Sequence, residues 1–145
     1  MFTIDKNHPL LDTKRTAPIL KLYTFKSEDA AKRGIGFDLN LFDFTDVMQQ
    51  THCSYTGVKL DFEAPAGNPL RPSFERINPL DGYNVNNTVL TTFGANRCKG
   101  KLDQFIHDGA MTLEQKIKIM NRVIYRLKKQ MKAEATTKNE SLVSD

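Results

Sequence analysis

The sequence predicts a small α+β protein built on two short strands followed by a helix. Three observations predict this class. A stretch from Pro72 to Gly100 alternates strand-forming residues with turn formers, an amphipathic helical pattern precedes it, and a long one follows it. The chain has 145 residues, 39% of them hydrophobic, which is enough for one modest core. We therefore expect a hairpin plus helix, flanked by an N-terminal helix and a long C-terminal helix.

The N-terminal segment predicts little regular structure. Residues 1–20 show no strong period and contain two prolines, so we expect a loose arm. Lys21–Phe25 is predicted to be a short strand. Ser27 is a suitable N-cap for a short helix that ends at Gly34.

A second short helix is predicted after residue 40. Asn40 is a suitable N-cap, Asp43 follows three positions later, and the helix should end near Gln50. Its apolar residues are expected to belong to the core and not to a ligand site; they are Leu41, Phe42, Phe44, Val47 and Met48.

The central stretch predicts a hairpin that leads into a helix. Ser73–Ile77 and the β-branched Thr88–Thr92 are the strand candidates. Between them, Asn78–Gly82 is rich in turn formers, and Gly82 can adopt a positive φ at little cost. Phe93–Lys101 is predicted to be helical. This arrangement would bring a set of polar side chains to one side: Glu75, Arg76, Asn87, Asn96 and Lys99.

The order of these residues resembles the phage-type branch of the HNH nuclease family. The resemblance covers the central third to half of the chain and rests on these segments: Cys53-Ser54-Tyr55-Thr56-Gly57, Glu75-Arg76-Ile77, Gly82-Tyr83, Asn87 and Asn96-Arg97-Cys98-Lys99. It implies a ββα-metal fold and a metal-dependent endonuclease that cleaves DNA.

The resemblance also implies a role for each matching residue. Glu75 and Asn96 would hold a single Mg²⁺ or Mn²⁺ ion, and Asn87 would orient the loop; no zinc is expected. Arg76 stands where the family usually has the histidine that acts as general base. A guanidinium with a pKa above ~12 cannot accept a proton from water near neutral pH. We therefore expect Arg76, with Lys99, to hold phosphate.

Two functional interpretations remain open at this stage. The protein could cut nucleic acid with metal-bound water or a substrate phosphate replacing the missing base. It could instead be a catalytically inactive module that binds nucleic acid or a protein. Each motif residue also has a purely structural interpretation, in which Glu75 and Arg76 pair with other charges and Asn87 satisfies the turn backbone.

The charge distribution favours a polyanionic partner. The net charge is +4, but residues 93–132 hold ten Lys and Arg against three acidic residues, whereas the rest of the chain holds eleven against fourteen. DNA is the expected partner. The residues predicted to contact it are Arg71, Arg97, Lys99, Lys101, Arg122 and Lys129.

The strongest helix signal lies near the C-terminus. Thr112 and Gln115 form a capping box pattern ahead of a seam of apolar residues at spacings of four and three: Leu113, Ile117, Met120, Ile124, Leu127 and Met131. This basic helix, 113–131, could dock on its own domain or pair with a second copy in a homodimer. The seam ends there, so the predicted domain spans 21–132 and the tail 133–145 is predicted to be disordered.

Cysteine use and hydropathy bound the cellular setting. Cys53 and Cys98 are the two cysteines, and they are expected to be reduced and largely buried. The sequence shows neither an apolar run of membrane-spanning length nor a secretory signal pattern. We expect a cytoplasmic protein of a bacterial host or phage-infected cell, without a membrane partner.

Overall fold

The computed structural model of the chain describes residues 7–11 and 13–144. Its class is mixed α+β, as the sequence predicts. None of the described helices is both long enough and apolar enough to cross a bilayer. After a 3₁₀ turn at Pro9–Leu11, the elements are α1 (Thr13–Lys32), β1 (Phe37–Asp38), α2 (Leu41–Met48), β2 (Pro72–Arg76), β3 (Tyr83–Asn84), β4 (Thr88–Thr92), α3 (Phe93–His107) and α4 (Leu113–Val143).

The strands form two small sheets. β2 and β4 pair antiparallel, with Pro72 opposite Thr92 and Arg76 opposite Thr88; we call this pair the ribbon. β1 pairs with β3 in parallel. The bounds of β4 agree with the prediction, and α3 follows it without a gap. The described chain therefore places a helix directly after two antiparallel strands.

Capping boxes set the start of two helices, as the sequence predicts. The Asn40 side chain accepts a hydrogen bond from the Asp43 N–H at 2.8 Å, and the Asp43 carboxylate accepts one from the Asn40 N–H at 3.2 Å. Thr112 and Gln115 exchange the same two bonds at the start of α4. Each box satisfies two N–H groups that have no partner within the helix, which stabilises that end.

The prediction for the N-terminal segment is wrong from residue 13 onwards. The predicted loose arm and the predicted strand at Lys21–Phe25 are both part of one helix, α1. Pro18 lies in its second turn and removes one backbone hydrogen bond. Ile19 and Ala30 are buried on this helix, and the burial of an apolar face outweighs one lost bond. Residues 1–6 and 12 of the predicted arm lie outside the described residues.

The end of α1 and the C-terminal tail differ in outcome. Gly34 follows α1 with φ +68°, as expected for a glycine that ends a helix. The tail prediction is wrong, because α4 continues through residues 133–143. That extension is exposed along its length, so it has no apolar seam and no periodic signal. Its Ala, Glu and Lys residues nevertheless favour helix.

The core lies against the ribbon. Phe44 of α2 is fully buried and stacks on Phe74 of β2, with ring centroids 4.7 Å apart. A second cluster joins the loop after α2 to the ribbon and α3; its members are Val47, Cys53, Leu60, Phe74, Leu90 and Ala95. Of the apolar residues of the predicted helix, Phe44 and Val47 contribute to the core, whereas Phe42 is 43% exposed, so the prediction is wrong for Phe42.

The chain forms two compact units, Met1–Gly100 and Lys101–Asp145. The boundary lies inside α3. Both cysteines are free thiols; Cys53 is buried, but Cys98 is exposed on α3. The expectation of two buried thiols is therefore wrong for Cys98, whose position on the helix faces solvent.

Candidate functional site

The two faces of the ribbon carry different side chains. Because successive strand residues point to opposite sides, Ser73 and Glu75 lie on one face and Phe74 and Arg76 on the other. The contacts agree, since Ser73 and Glu75 meet α3 whereas Phe74 stacks on α2. We call these the α3 face and the aromatic face.

Asn96 connects α3 to the first half of β2. Its Nδ2 donates to Ser73 Oγ at 2.7 Å and to the Phe74 carbonyl at 3.4 Å. The amide oxygen accepts no hydrogen bond from the described residues, so it is the atom available for the predicted ligand role.

Lys99 connects α3 to the second half of β2. Its Nζ lies 2.9 Å from Glu75 Oε1, in an ion pair whose side chains are only 16% and 10% exposed. The same Nζ donates to the carbonyls of Arg76 at 2.9 Å and Ile77 at 2.8 Å. An ammonium group has three N–H donors, and the Glu75 carboxylate and these two carbonyls are among its contacts. Lys99 therefore neutralises the predicted metal ligand and fastens the end of β2.

Glu75, Asn96 and Lys99 are thus brought together on the α3 face. Asn96 and Lys99 are one helical turn apart, and Ser73 and Glu75 are alternate strand residues on one face. These two pairs of contacts therefore align this part of α3 with β2. These three members of the motif share one region of the structure. Their chemical roles remain predictions.

Arg76 points away from this group. On the aromatic face, its Nη1 donates to the carbonyls of Pro79 and Asp81, both at 2.9 Å. Its guanidinium also lies 5.5 Å from the centre of the Tyr83 ring. Arg76 therefore fastens the turn after β2, and this Nη1 is already engaged where the sequence predicted a phosphate contact.

Asn87 fastens the same turn from the other strand. Its Oδ1 accepts from the Asn78 N–H at 2.8 Å, and its Nδ2 donates to the carbonyls of Asn78 at 3.0 Å and Gly82 at 2.9 Å. The side chain is 7% exposed. This arrangement matches the structural interpretation in which Asn87 satisfies the turn backbone, and it is also what an orienting residue would do.

Gly82 is needed for a different reason from the one predicted. Its φ is not positive; a Cβ at this position would lie 2.6 Å from the Gly36 carbonyl oxygen. Tyr83, the next residue, donates its N–H to that same oxygen at 2.8 Å. The close approach of two backbones, at the β1–β3 pairing, therefore excludes any side chain at residue 82.

The predicted cationic contacts are distributed over both units. Arg71 and Arg97 are exposed in the first unit, where Arg97 lies 5.7 Å from the centre of the Phe93 ring. In the second unit, Lys101, Arg122 and Lys129 are exposed. Exposure leaves these five side chains accessible to a polyanion, but only Lys99 among the predicted cations joins Glu75 and Asn96.

Gln50 is a positioning residue that the sequence analysis did not identify. Its side-chain amide donates to the Leu90 carbonyl at 2.6 Å and accepts from the Leu90 N–H at 3.1 Å. The Ser54 N–H donates to the same carbonyl at 3.0 Å. Gln50 therefore holds β4 as a neighbouring strand would. A glutamine just before the Cys-x-x-Thr-Gly segment was the only sequence signal.

Cys53 begins that segment and titrates in the neutral range. Burial raises the pKa of its thiol, but hydrogen bonds from the Thr56 side chain and from backbone N–H groups of Thr92, Thr56 and Tyr55 lower it, and the net pKa is about 7. The segment is closed by the Gly57 N–H, which donates to the Cys53 carbonyl at 2.9 Å. The thiol is buried next to Leu90, so its charge state affects the ribbon and not the solvent face.

The oxygen atoms of the α3 face are of the kind that Mg²⁺ and Mn²⁺ bind. Mg²⁺ in enzymes is commonly held by one or two carboxylates, with water and substrate phosphate completing the shell. Glu75 supplies one carboxylate and Asn96 one amide oxygen. Thr91, opposite Ser73, adds a fully buried hydroxyl that has no hydrogen-bond partner among the described residues. Across residues 7–11 and 13–144, however, no three His, Cys, Asp or Glu side chains are grouped as a metal site.

Comparison with known proteins adds no assignment. No protein-family model, no curated protein and no solved structure matches the chain. The functional argument therefore rests on the geometry of the motif residues.

Proposed function

We propose that this protein is a metal-dependent endonuclease of HNH type that cleaves phosphodiester bonds in DNA. One observation carries the proposal. A nearly buried carboxylate on β2, Glu75, lies on the same ribbon face as the amide of Asn96 and the ammonium of Lys99 on the next helix. A strand carboxylate with a following helix amide is the arrangement that the motif predicts for a single-ion nuclease.

The residues fit a divalent ion in chemical type. Glu75 and Asn96 would hold it through oxygen, and the ion would polarise the scissile phosphate and stabilise the leaving oxygen. Because Lys99 lies 2.9 Å from the same carboxylate, its ammonium must share Glu75 or move away. A displaced Lys99 would be well placed to hold a phosphate oxygen.

Arg76 has a positioning role in this proposal. Its bonds to the turn carbonyls and its contact with Tyr83 keep the end of β2 in place. We therefore assign phosphate binding to Lys99 and turn stabilisation to Arg76 and Asn87. In this assignment residue 76 supplies no general base. A bound metal would lower the pKa of the attacking water, and its proton would pass to solvent or to a phosphate oxygen of the substrate.

A plasmid assay tests the proposal. Supercoiled plasmid incubated with Mg²⁺ or Mn²⁺ should be nicked by the wild-type protein and not by Glu75→Gln. Glu114→Gln is the matched control, because it makes the same change at an exposed carboxylate on α4, 78% accessible. Absence of nicking with either metal, or equal nicking by Glu75→Gln, would overturn the proposal.

A second candidate is a non-catalytic nucleic-acid-binding module. The observation that favours it is the internal satisfaction of the motif, since Lys99 meets three acceptors and Arg76 meets two. Such a protein would bind DNA with affinity that falls with salt and survives EDTA. Binding without nicking would support it, and loss of binding on chelation would exclude it.

We also propose that α4 pairs with a second copy of the chain. The seam places Ile117 and Ile124 at one core position of the heptad, a pattern that with Leu at the other favours parallel two-stranded coiled coils. The seam is exposed: Leu113 is 69%, Ile117 57%, Ile124 45%, Leu127 49% and Met131 69% accessible. The basic side chains of the helix, Arg122 and Lys129 among them, would remain available to DNA.

Light scattering tests this pairing. The wild-type chain should have the mass of a dimer, and Ile117→Asn/Ile124→Asn that of a monomer. Ile119→Asn is the matched control because Ile119 is exposed on the same helix but outside the seam. A monomeric wild-type protein would exclude the dimer and favour docking of the helix on its own chain.

A further inference from the structure

The aromatic face of the ribbon adjoins a cavity that has no role in the proposed chemistry. It has a volume of about 350 Å³ and lies entirely within the first unit, between α1, the loop at residue 62 and the start of β2. This volume is within the range of small-ligand sites. Its walls combine aromatic rings with cations: Phe25, Lys26, Phe62, Arg71 and Phe74.

The two cations lack anionic partners. In the described part of the chain, the side chains of Lys26 and Arg71 form no salt bridge and no hydrogen bond; Lys26 Nζ lies 5.7 Å from the centre of the Phe74 ring. Asp29, one turn further along α1, acts electrostatically on Lys26 and is also bound by Arg33 at 3.3 Å. Lys26 is partly buried and is balanced only by the nearby charge of Asp29, whereas Arg71 is exposed, so both cations can accept an added anion.

The protonation of Lys26 is consistent with this. Burial lowers the pKa of Lys26, and Arg33 lowers it further, whereas Asp29 acts in the opposite direction. A bound phosphate would remove the cost of burying the ammonium charge, because an opposite charge favours the protonated form.

The rings offer a surface for an aromatic base. Phe25 is 60% and Phe62 51% exposed, so both rings are accessible to a ligand at the cavity. Flat rings beside cations are the combination that binds unpaired nucleotides, with the base stacked on the ring and the backbone phosphate held by Lys or Arg. Apolar walls alone would not select for phosphate, and cations alone would not select for a base.

We propose that this cavity binds one unpaired nucleotide of a nucleic-acid strand, with its base against Phe25 and Phe62 and its phosphate at Lys26 and Arg71. The inference rests on the proposed nucleic-acid function and narrows its substrate to single-stranded or locally opened DNA. The cavity is also lined by Ser73, whose hydroxyl accepts from Asn96 on the α3 face. A nucleotide held there would lie across the ribbon from the proposed cleavage residues.

Fluorescence anisotropy with a labelled dT10 oligonucleotide in EDTA tests this without any cleavage. The wild-type chain should bind dT10 more tightly than a ten-base-pair duplex. Lys26→Met/Arg71→Met should bind at least tenfold more weakly, and its salt slope should fall by about 0.7, since the one phosphate held by both cations contributes about 0.7 for single strands. Phe62→Ala should weaken binding about 5- to 150-fold with the slope unchanged, the range typical for loss of one stacked base.

Matched controls make the result specific. Lys59→Met/Lys138→Met removes the same charge from exposed positions and should bind dT10 within about twofold of wild type. Equal loss in both double variants would assign the effect to net charge and overturn the proposal, as would tighter binding of duplex. Competition by free dTMP at concentrations as low as those of dT10 would also overturn it, because the site would then recognise a free nucleotide.

The two proposals can fail separately. If plasmid nicking depends on Glu75 while Lys26→Met/Arg71→Met binds dT10 normally, the cavity assignment fails and the nuclease stands. If the cavity variants lose dT10 binding but the wild-type protein does not nick plasmid, the cavity assignment holds and the protein is a non-catalytic binding module.

Discussion

The charged side chains on the two sides of the ribbon differ in whether they form ion pairs. On the α3 face, Glu75 and Lys99 neutralise each other, and neighbouring carbonyls take up the remaining protons of the ammonium. On the side of the aromatic face, Lys26 and Arg71 border a cavity without anionic partners. A ligand on the α3 face must therefore replace existing bonds, whereas an anion in the cavity gains bonds that the protein lacks. Binding and chemistry are expected to differ accordingly, with affinity arising mainly at the cavity.

The largest expected effect separates the two lysines that define this contrast. Lys99→Met leaves the Glu75 carboxylate nearly buried and unpaired, so it should reduce the free energy of unfolding by about 3–5 kcal/mol in urea titrations. Lys26→Met is the matched control and should change it little or raise it, because it removes a partly buried charge that forms no ion pair among the described residues. A loss of less than about 1 kcal/mol in the free energy of unfolding for Lys99→Met would contradict the proposed difference between the two lysines.

A double variant sharpens the same comparison. Lys99→Met/Glu75→Met replaces both charges with apolar side chains of similar length, and such replacements are often neutral or stabilising. It should recover most of the stability that Lys99→Met loses. Failure to recover would mean that the bonds from Lys99 to the Arg76 and Ile77 carbonyls, and not its pairing with Glu75, fasten α3 to β2.

The turn that ends β2 should show the next largest effect. Asn87→Ala leaves the Asn78 N–H and the Asn78 and Gly82 carbonyls without their partner, at an expected cost of about 2–3 kcal/mol. Asn86→Ala removes an exposed amide from the neighbouring position and should cost under about 0.5 kcal/mol. Equal stabilities of the two variants in urea would contradict the bonding described for Asn87.

Cys53, which packs against Leu90 of β4, should make the free energy of unfolding depend on pH. Its folded-state pKa of about 7 lies below the ordinary value of 9.0, so the unfolded chain binds more protons between these values. Stability should therefore rise by about 2 kcal/mol from pH 6.5 to pH 9, and fall as the pH drops through 7. Cys53→Ser should lack this rise in pH-dependent urea titrations; an unchanged rise would assign it to another group.

The smallest expected effect compares one threonine from each face. Thr88 and Thr91 have buried hydroxyls without hydrogen-bond partners among the described residues, and they lie opposite Arg76 and Ser73 respectively. Valine at either position should raise the melting temperature by the equivalent of about 1 kcal/mol. If Thr91 supports a bound ion, only Thr91→Val should also lose the stabilisation that Mn²⁺ gives. Equal Mn²⁺ responses in both variants would exclude that role.

Local patterns predicted much of the fold. The β-branched run at 88–92 and the capping boxes at Asn40 and Thr112 carry their signal in neighbouring residues, and they were predicted correctly. The α1 prediction failed because Pro18 is a local signal against helix that burial of Ile19 and Ala30 overrides. The extension beyond residue 133 failed for the opposite reason, since a helix without an apolar face has no period to detect.

The candidate site was less predictable than the fold. Sequence order predicts that Glu75, Asn96 and Lys99 approach one another, but the identity of each hydrogen-bond partner depends on how α3 is set against β2. The reach of Lys99 to two carbonyls and the turn contacts of Arg76 could not be read from spacing. The role of Lys26 was not predicted because this residue lay between a predicted strand and a predicted short helix. The cavity forms only because these segments belong to one continuous helix, α1.

The amide of Gln50 has a consequence for the behaviour of the protein at high concentration. A two-stranded ribbon has open edges, and exposed edges recruit strands from other molecules. By taking both backbone groups of Leu90, Gln50 and Ser54 close part of the outer edge of β4 to such pairing. The Gln50 side chain thereby limits self-association through the ribbon, so the proposed pairing of two copies would have to use α4.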